Sequence, residues 1–230
     1  MRNWSSDVTR VKPFPQTIKM HHDFNRCCCI ILSVKLNIGC GSKPKAGYVN
    51  IDLFDQNADR KMDACNLDFD DNTAESIEME QVIEHLGFIH GSLALSEAYR
   101  VLKDGGLLVV ETPEIDSAFK QYLQSSNREK KAELLNWIYG LEFPGYQHKF
   151  CFPKELMLEM LGGIGFEILE ISDVLYDGFP AYRVRATKRH SGIKQKLSYE
   201  RKNALAGIRM NGIEDYALAV DEEKRRWEIK

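Results

Sequence analysis

Two glycines and an acid are the residues of this chain whose types and spacing best support chemistry. Gly39 and Gly41 lie in LNIGCGS, residues 36–42, and Asp52 closes VNID, residues 49–52. Each stretch is an apolar run that ends in small or charged residues. Without side chains, Gly39 and Gly41 let the backbone turn sharply and come close to a ligand. Asp52 falls at the carboxyl end of the second run, where an acid can hydrogen-bond a ribose diol. The pairing implies a site for an adenosine-containing cofactor. A nicotinamide dinucleotide fits less well. GCGSKP lacks the third glycine of G-x-G-x-x-G and leaves little helix N-terminus to hold a pyrophosphate.

Further along, His148 sits between Tyr146 and Lys149-Phe150. Histidine titrates near neutral pH, so it can serve as the general base when a hydroxyl is modified. Tyr139 and Tyr146 are candidates to line an acceptor pocket, with plain packing the alternative. Trp137, at helical spacing from Leu134, reads as core or lid packing. His85, after Glu84, either approaches the cofactor or packs against the sheet. Glu111 and Glu114 read as solvated loop acids. Asp68, Asp70 and Asp71 lack the glycine and distal Glu of a calcium loop and read as a solvated turn. No metal site is expected in the folded domain.

Positioning these residues requires alternating strands and helices, which run from about residue 34 to 188 and indicate an α/β domain with a mainly parallel sheet. Strands are expected at 34–38, 48–51, 60–64, 76–83, 107–110, 166–171 and 182–187. Leu95, Ala98 and Leu102 share one face of a helix over 93–103, which Gly105 and Gly106 would stop. Pro153 suits a first helical position, with Leu156, Met157, Met160 and Leu161 as its apolar stripe and Gly162-Gly163 as its end. The long segment 114–152 follows a central strand and is expected as a lid over the ligand crevice. Residues 1–33 read as an irregular arm, and residues 189–230 as a charged, helical tail.

Composition narrows the function. The 230 residues are 43% hydrophobic and carry a net charge of -3. Residues 1–33 and 189–230 are each +3, which leaves the middle at -9. An acidic domain argues against nucleic acid as the main substrate. No apolar run reaches the ~20 residues of a membrane span. None of the six cysteines forms a C-x-x-C pair, so reduced thiols in a cytoplasm are expected. His21 and His22 near Cys27, Cys28 and Cys29 have metal-binding types but fall in the arm. The oligomeric state is not readable.

LNIGCGS, NID, LDFDDNTAESIEMEQVIEHL and EAYRVLKDGGLLVVETPE, in that order, resemble the motifs of class I S-adenosylmethionine-dependent methyltransferases. The resemblance covers about residues 34–188. It implies a Rossmann-like fold: a mostly parallel seven-stranded sheet with an antiparallel last strand and helices on both faces. It also implies that Gly39, Cys40 and Gly41 lie under the methionine part of the cofactor. By the same resemblance Asp52 and Leu53 lie at the ribose, Asp63 and Ala64 beside the adenine, and Gln81 faces the methyl donor or the substrate. Asn37 stands where the family's first motif has an acid, and can hydrogen-bond the cofactor's amino group without charge. Only eleven residues separate Gly41 from Asp52, so the first crossover is short. A closer likeness is to small methyltransferases linked to surface-glycan synthesis, whose later segment is similar to YGLEFPGYQHKFCF, residues 139–152. That implies a small polar acceptor, a sugar or glycan hydroxyl. The alternative is a non-catalytic cofactor-binding subunit that holds a partner.

Overall fold

The computed structural model describes residues 34–143 and 145–189. The expected arm, and the tail beyond Arg189, lie outside the described residues. Eleven elements follow in chain order: β1 Val34–Ile38, β2 Val49–Asp52, β3 Arg60–Lys61, β4 Ala74–Glu80, α1 Ile83–Val101, β5 Leu102–Pro113, α2 Ile115–Gln124, α3 Arg128–Tyr139, α4 Lys154–Ile164, β6 Phe166–Tyr176 and β7 Phe179–Lys188. The strands form one seven-stranded sheet in the order β3-β2-β1-β4-β5-β7-β6. Only β7 runs against the rest, pairing antiparallel with both β5 and β6. This is the expected Rossmann-like fold, with the antiparallel last strand in place.

Period-two alternation divides the sheet into unlike faces. Ile51, Leu36, Ile38, Ile77, Met79, Leu108, Val110 and Val184 are buried on one of them. Helices α1 and α4 supply Leu95, Ala98, Met157 and Leu161 to the same core. The other face carries Asn50, Asn37, Glu78, Val109 and Arg185 side by side across five strands. The β1–β2, β2–β3 and β3–β4 connections contain no helix.

Several boundaries differ from those the sequence suggested, for local reasons. The first long helix begins at Ile83, breaks at Gly87 (φ 81°, ψ 175°) and ends at Val101. It is not stopped by Gly105 and Gly106. Gly105 (φ 74°) lies within β5, where the ladder to β4 shifts register. Likewise Gly162 and Gly163 stay inside α4, and Gly165 ends it in the left-handed conformation (φ 112°), its N–H donating to the Leu161 carbonyl at 3.0 Å. Strands β6 and β7 run five and three residues further toward their shared turn than expected. Asp177 and Gly178, both at positive φ, close them as a two-residue hairpin.

The segment 114–152 contains α2 and α3, which pack on each other around Ile115, Ala118 and Ile138. Glu114 is not a solvated acid. It is buried and caps α2, accepting from the Ser117 N–H at 2.7 Å. Glu111 is buried too, held by Arg183 at 2.6 Å. In the Asp68–Asp71 turn, Asp71 pairs with Arg100 at 2.8 Å.

Candidate functional site

The strand order reverses between β1 and β4, and ligands of open α/β sheets bind at such a switch, beyond the carboxyl ends of the strands. Gly39 leaves β1 at φ 67° and Gly41 follows at φ 47°. The Gly39 and Cys40 N–H groups both donate to the Ile51 carbonyl, at 2.7 and 3.0 Å, which ties the loop to β2. Gly41 N–H donates to Asp52 Oδ2 at 2.9 Å. Asp52 Oδ1 accepts from the Phe54 and Asp55 N–H groups at 2.8 and 3.0 Å. Burial works to raise the Asp52 pKa. These backbone donors outweigh it and hold the carboxyl below its ordinary value. Asn37 donates to Asn50 Oδ1 at 2.9 Å and to the Lys43 carbonyl at 3.4 Å.

Two cavities flank this loop. One, of about 330 Å³, is lined by Gly39, Gly41, Asp52, Leu53, Asp63 and Ala64, together with Phe54, Met62 and Leu86. The other, of about 550 Å³, is lined by Asn37, Cys40, Lys43, Lys45, Glu80, Glu84, Asn136, Trp137, His148, Tyr176 and Phe179, among others. Gly39, Gly41, Gln81, His85 and Tyr146 belong to the walls of both. Of the residues expected from the sequence to bind cofactor or acceptor, Tyr139 alone lines neither cavity. Its side chain is exposed, while its carbonyl accepts from the His148 N–H at 2.9 Å. Sequence reasoning overlooked Tyr176 and Phe179; it read Trp137 as packing, and Trp137 does pack on Ile115, Ala118 and Ile138 as well as lining the larger cavity. These three rings stack in the larger cavity with centroids 5.3–6.0 Å apart. The β6–β7 hairpin that brings two of them there runs further than the period-two signal showed.

Gln81 is held at φ 56°, a strained backbone for a side-chain-bearing residue. Its N–H donates to the Glu111 carbonyl at 2.8 Å and its amide to Glu111 Oε1 at 3.2 Å. The strain fixes the side chain at the boundary between the cavities.

Beside Gln81 the first turn of α1 presents Glu84 and His85 to His148 of the lid segment. Glu84 is completely buried. Thr112 Oγ1 donates to its Oε2 at 2.9 Å, and its Oε1 has no hydrogen-bond partner among the described residues. Burial, with the nearby Glu111 charge, pushes the Glu84 pKa up to about 8. His85 Nδ1 lies 3.1 Å from the Gln147 carbonyl, and His148 Nδ1 lies 3.2 Å from the Ile138 carbonyl. A carbonyl only accepts, so both rings carry their proton on Nδ1 and leave Nε2 bare when neutral. Burial lowers both histidines. His148, also facing His85, goes down to about 4. The rings meet edge to face at 4.7 Å. Lys149 and Phe150 N–H groups donate to the Glu84 carbonyl at 2.8 and 3.2 Å, fastening the lid segment to α1.

Residues 42–110 match a family model described as a methyltransferase domain. No curated protein matches the sequence. Among solved structures, an S-adenosylmethionine-dependent methyltransferase from Methanosarcina mazei is 18% identical, with 68% of this chain and 92% of that chain covered and a TM-score of 0.50. A 1,6-didemethyltoxoflavin-N1-methyltransferase from Burkholderia thailandensis, with bound 1,6-didemethyltoxoflavin and S-adenosylhomocysteine, is 14% identical, with 69% of this chain and 72% of that chain covered and a TM-score of 0.48. The methyltransferase-domain match over residues 42–110, on this fold, supports an S-adenosylmethionine-dependent methyltransferase with S-adenosylmethionine as its cofactor.

Proposed function

We propose that the chain methylates a small polar acceptor, a sugar or glycan hydroxyl, with the cofactor in the smaller cavity and the acceptor in the larger. The observation that carries this reading is the shared wall of Gly39, Gly41, Gln81, His85 and Tyr146. Two substrates that exchange one carbon must meet at a common boundary.

The smaller cavity fits the cofactor. Gly39 has Val82 directly beneath it, so that any Cβ there would meet Val82 Cγ2 at 2.4 Å and fill the cradle. Asp52 Oδ2 accepts one backbone hydrogen bond and keeps a lone pair for a ribose hydroxyl. Asp63 and Ala64 flank the place of the adenine, and Leu53 and Phe54 cover the ribose side. Asn37 lies on the wall of the larger cavity, not the smaller one; its amide N–H groups are committed, so its oxygen is the atom left to accept from the cofactor's amino group if the methionine end reaches past the Gly39–Gly41 loop. S-adenosylmethionine supplies a methyl carbon on a sulfonium, open to in-line attack.

The larger cavity supplies what a sugar needs. Trp137, Tyr176 and Phe179 offer aromatic surface, and Lys43, Glu133, Asn136 and Asp177 offer polar side chains. An attacking hydroxyl becomes strongly acidic as its bond to carbon forms. Neutral His148, with Nε2 bare, can take that proton although burial keeps it a weak base. The protein's larger contribution is alignment of the two reactants and exclusion of water. The three described cysteines, Cys40, Cys65 and Cys151, are free thiols, which supports a cytoplasmic setting. No described helix is long and apolar enough to cross a membrane.

The test is release of S-adenosylhomocysteine on incubation with S-adenosylmethionine and panels of free sugars, nucleotide sugars and amines. Turnover with a sugar supports the reading. Turnover with amines alone overturns the hydroxyl acceptor. Cofactor binding without turnover on any panel favours the partner-holding subunit.

A further inference from the structure

We infer that Glu84, His85 and His148 form a binding site for a divalent transition-metal ion on the wall of the larger cavity, with open positions toward the acceptor. Their ligand atoms all lie within 4.8 Å of one another, and Glu84 Oε1 is 4.0 Å from His85 Nε2. In a tetrahedral shell with bonds of about 2.1 Å, neighbouring donors stand about 3.4 Å apart, so modest side-chain rotation brings these atoms together.

Three features favour a ligand over packing. Each imidazole gives its Nδ1 proton to a backbone carbonyl, of Gln147 or Ile138, which fixes the ring and leaves Nε2 bare, and His85 Nε2 faces Glu84 Oε1. This second-shell arrangement orients metal-binding histidines. Glu84 is wholly buried, yet Oε1 lacks a donor, and an unpaired buried carboxylate oxygen is costly. The side chain is also anchored from behind by Thr112 at Oε2, leaving Oε1 as the atom to coordinate.

Two imidazoles and one carboxylate suit zinc, iron or manganese better than magnesium or calcium, which prefer all-oxygen shells. Three protein ligands leave room for an exogenous oxygen. An acceptor hydroxyl bound there would lose its proton more readily, with His148 then a ligand instead of a base. That use rests on the reading of the larger cavity as the acceptor side, whereas binding of the ion does not.

The experiment uses the full chain with Cys27, Cys28 and Cys29 replaced by Ser, so that thiols in the arm do not bind the probe. Cobalt(II) and zinc(II) are titrated into metal-stripped protein, with visible absorption and elemental analysis as readouts. One equivalent of zinc should be retained, and cobalt should give the intense visible bands of a low-coordinate N/O site. Glu84→Gln and His148→Gln should each weaken cobalt binding at least about 100-fold. Calorimetry with S-adenosylmethionine on the same samples reports the fold and the cofactor cavity separately, because Glu84 and His148 line only the other cavity. If Glu84→Gln fails to fold, the half-buried His148→Gln carries the test. Failure of the parent protein to bind either ion, or unchanged binding in a folded variant, overturns the site. Metal binding without methyl transfer to any sugar would leave the site standing and count against the acceptor reading alone.

Discussion

Gly39 and Val82 stand so close that a single added carbon separates a working loop from a blocked one. A Cβ on Gly39 would lie 2.4 Å from Val82 Cγ2 and 3.0 Å from Cγ1, and the residue sits at φ 67°. Gly39→Ala therefore meets two separable penalties: a steric clash, and a left-handed backbone that costs a side-chain-bearing residue about 1–2 kcal/mol. The variant is expected to fold, since the clash lies at the mouth of the cavity, but to bind S-adenosylmethionine at least tenfold more weakly. Adding Val82→Ala removes both Cγ atoms and should restore only the steric part. Calorimetric titration of the two variants checks this. Full recovery in the double variant would show that backbone conformation contributes nothing here.

Asp52 does two jobs, and a substitution should reveal both. Asp52→Asn keeps one accepting oxygen, puts an NH2 donor where the other oxygen accepted, and removes the charge that faces the backbone donors and the proposed ribose site. Cofactor affinity should fall by about 1–3 kcal/mol, the scale of hydrogen bonds to a charged group. Its folded pKa lies below the ordinary 3.8, so the carboxylate stabilises the fold above that pH. The benefit shrinks as pH falls from 3.8 through the lower folded value. The stability gap between wild type and Asp52→Asn should thus be level at pH 5–7 and narrow in acid. Urea melts at several pH values measure it, and a gap that widens in acid would contradict the assignment.

Arg183 reaches Gln81 through Glu111, its cross-strand partner on β5. Arg183 Nη2 and Nε donate to Glu111 Oε2 at 2.6 and 3.0 Å, while Glu111 Oε1 accepts from Gln81. Arg183→Met leaves a buried carboxylate without its cation, which should cost about 1–3 kcal/mol. Adding Glu111→Gln should return much of that loss by removing the stranded charge. Chemical denaturation of the single and double variants gives the coupling. A Glu111→Gln single variant as unstable as Arg183→Met would show instead that geometry, not charge, dominates.

The residues around the smaller cavity were legible because they stand at strand ends: Gly39 and Gln81 follow β1 and β4, Asp52 closes β2, and apolar runs mark those ends in the sequence. The other half depends on contacts distant in the chain. Glu84 and His85 meet His148 across some sixty residues, and Tyr176 and Phe179 arrive by way of β6 and β7, whose ends toward the turn alternate weakly. Glu111 and Glu114 read as loop acids because burial does not show in a single sequence. Arg183, the partner of Glu111, lies on a distant strand, whereas Glu114 caps the helix that begins at the next residue. Gly105, Gly162 and Gly163 misled for the opposite reason. Glycine permits a helix end but does not require one, and packing of α4 and the register of β5 decided.

Tyr139 and Tyr146 look equivalent in sequence, seven residues apart in one aromatic stretch, yet the fold separates them. Tyr146 belongs to the walls of both cavities, whereas Tyr139 lines neither, although the two are similarly exposed at 59% and 63%. Gly140 turns the chain between them at φ 76°, and a Cβ there would meet the Tyr146 carbonyl at 2.2 Å. Tyr146→Ala should lower S-adenosylmethionine affinity by about 1 kcal/mol, or about fivefold, through lost aromatic contact at the mouth. Tyr139→Ala should stay within about twofold of wild type, as exposed substitutions usually do. Calorimetry on the two variants side by side is decisive. Equal losses would mean that the lid segment closes further over the cofactor and carries Tyr139 with it, and equal indifference would remove Tyr146 from the shared wall.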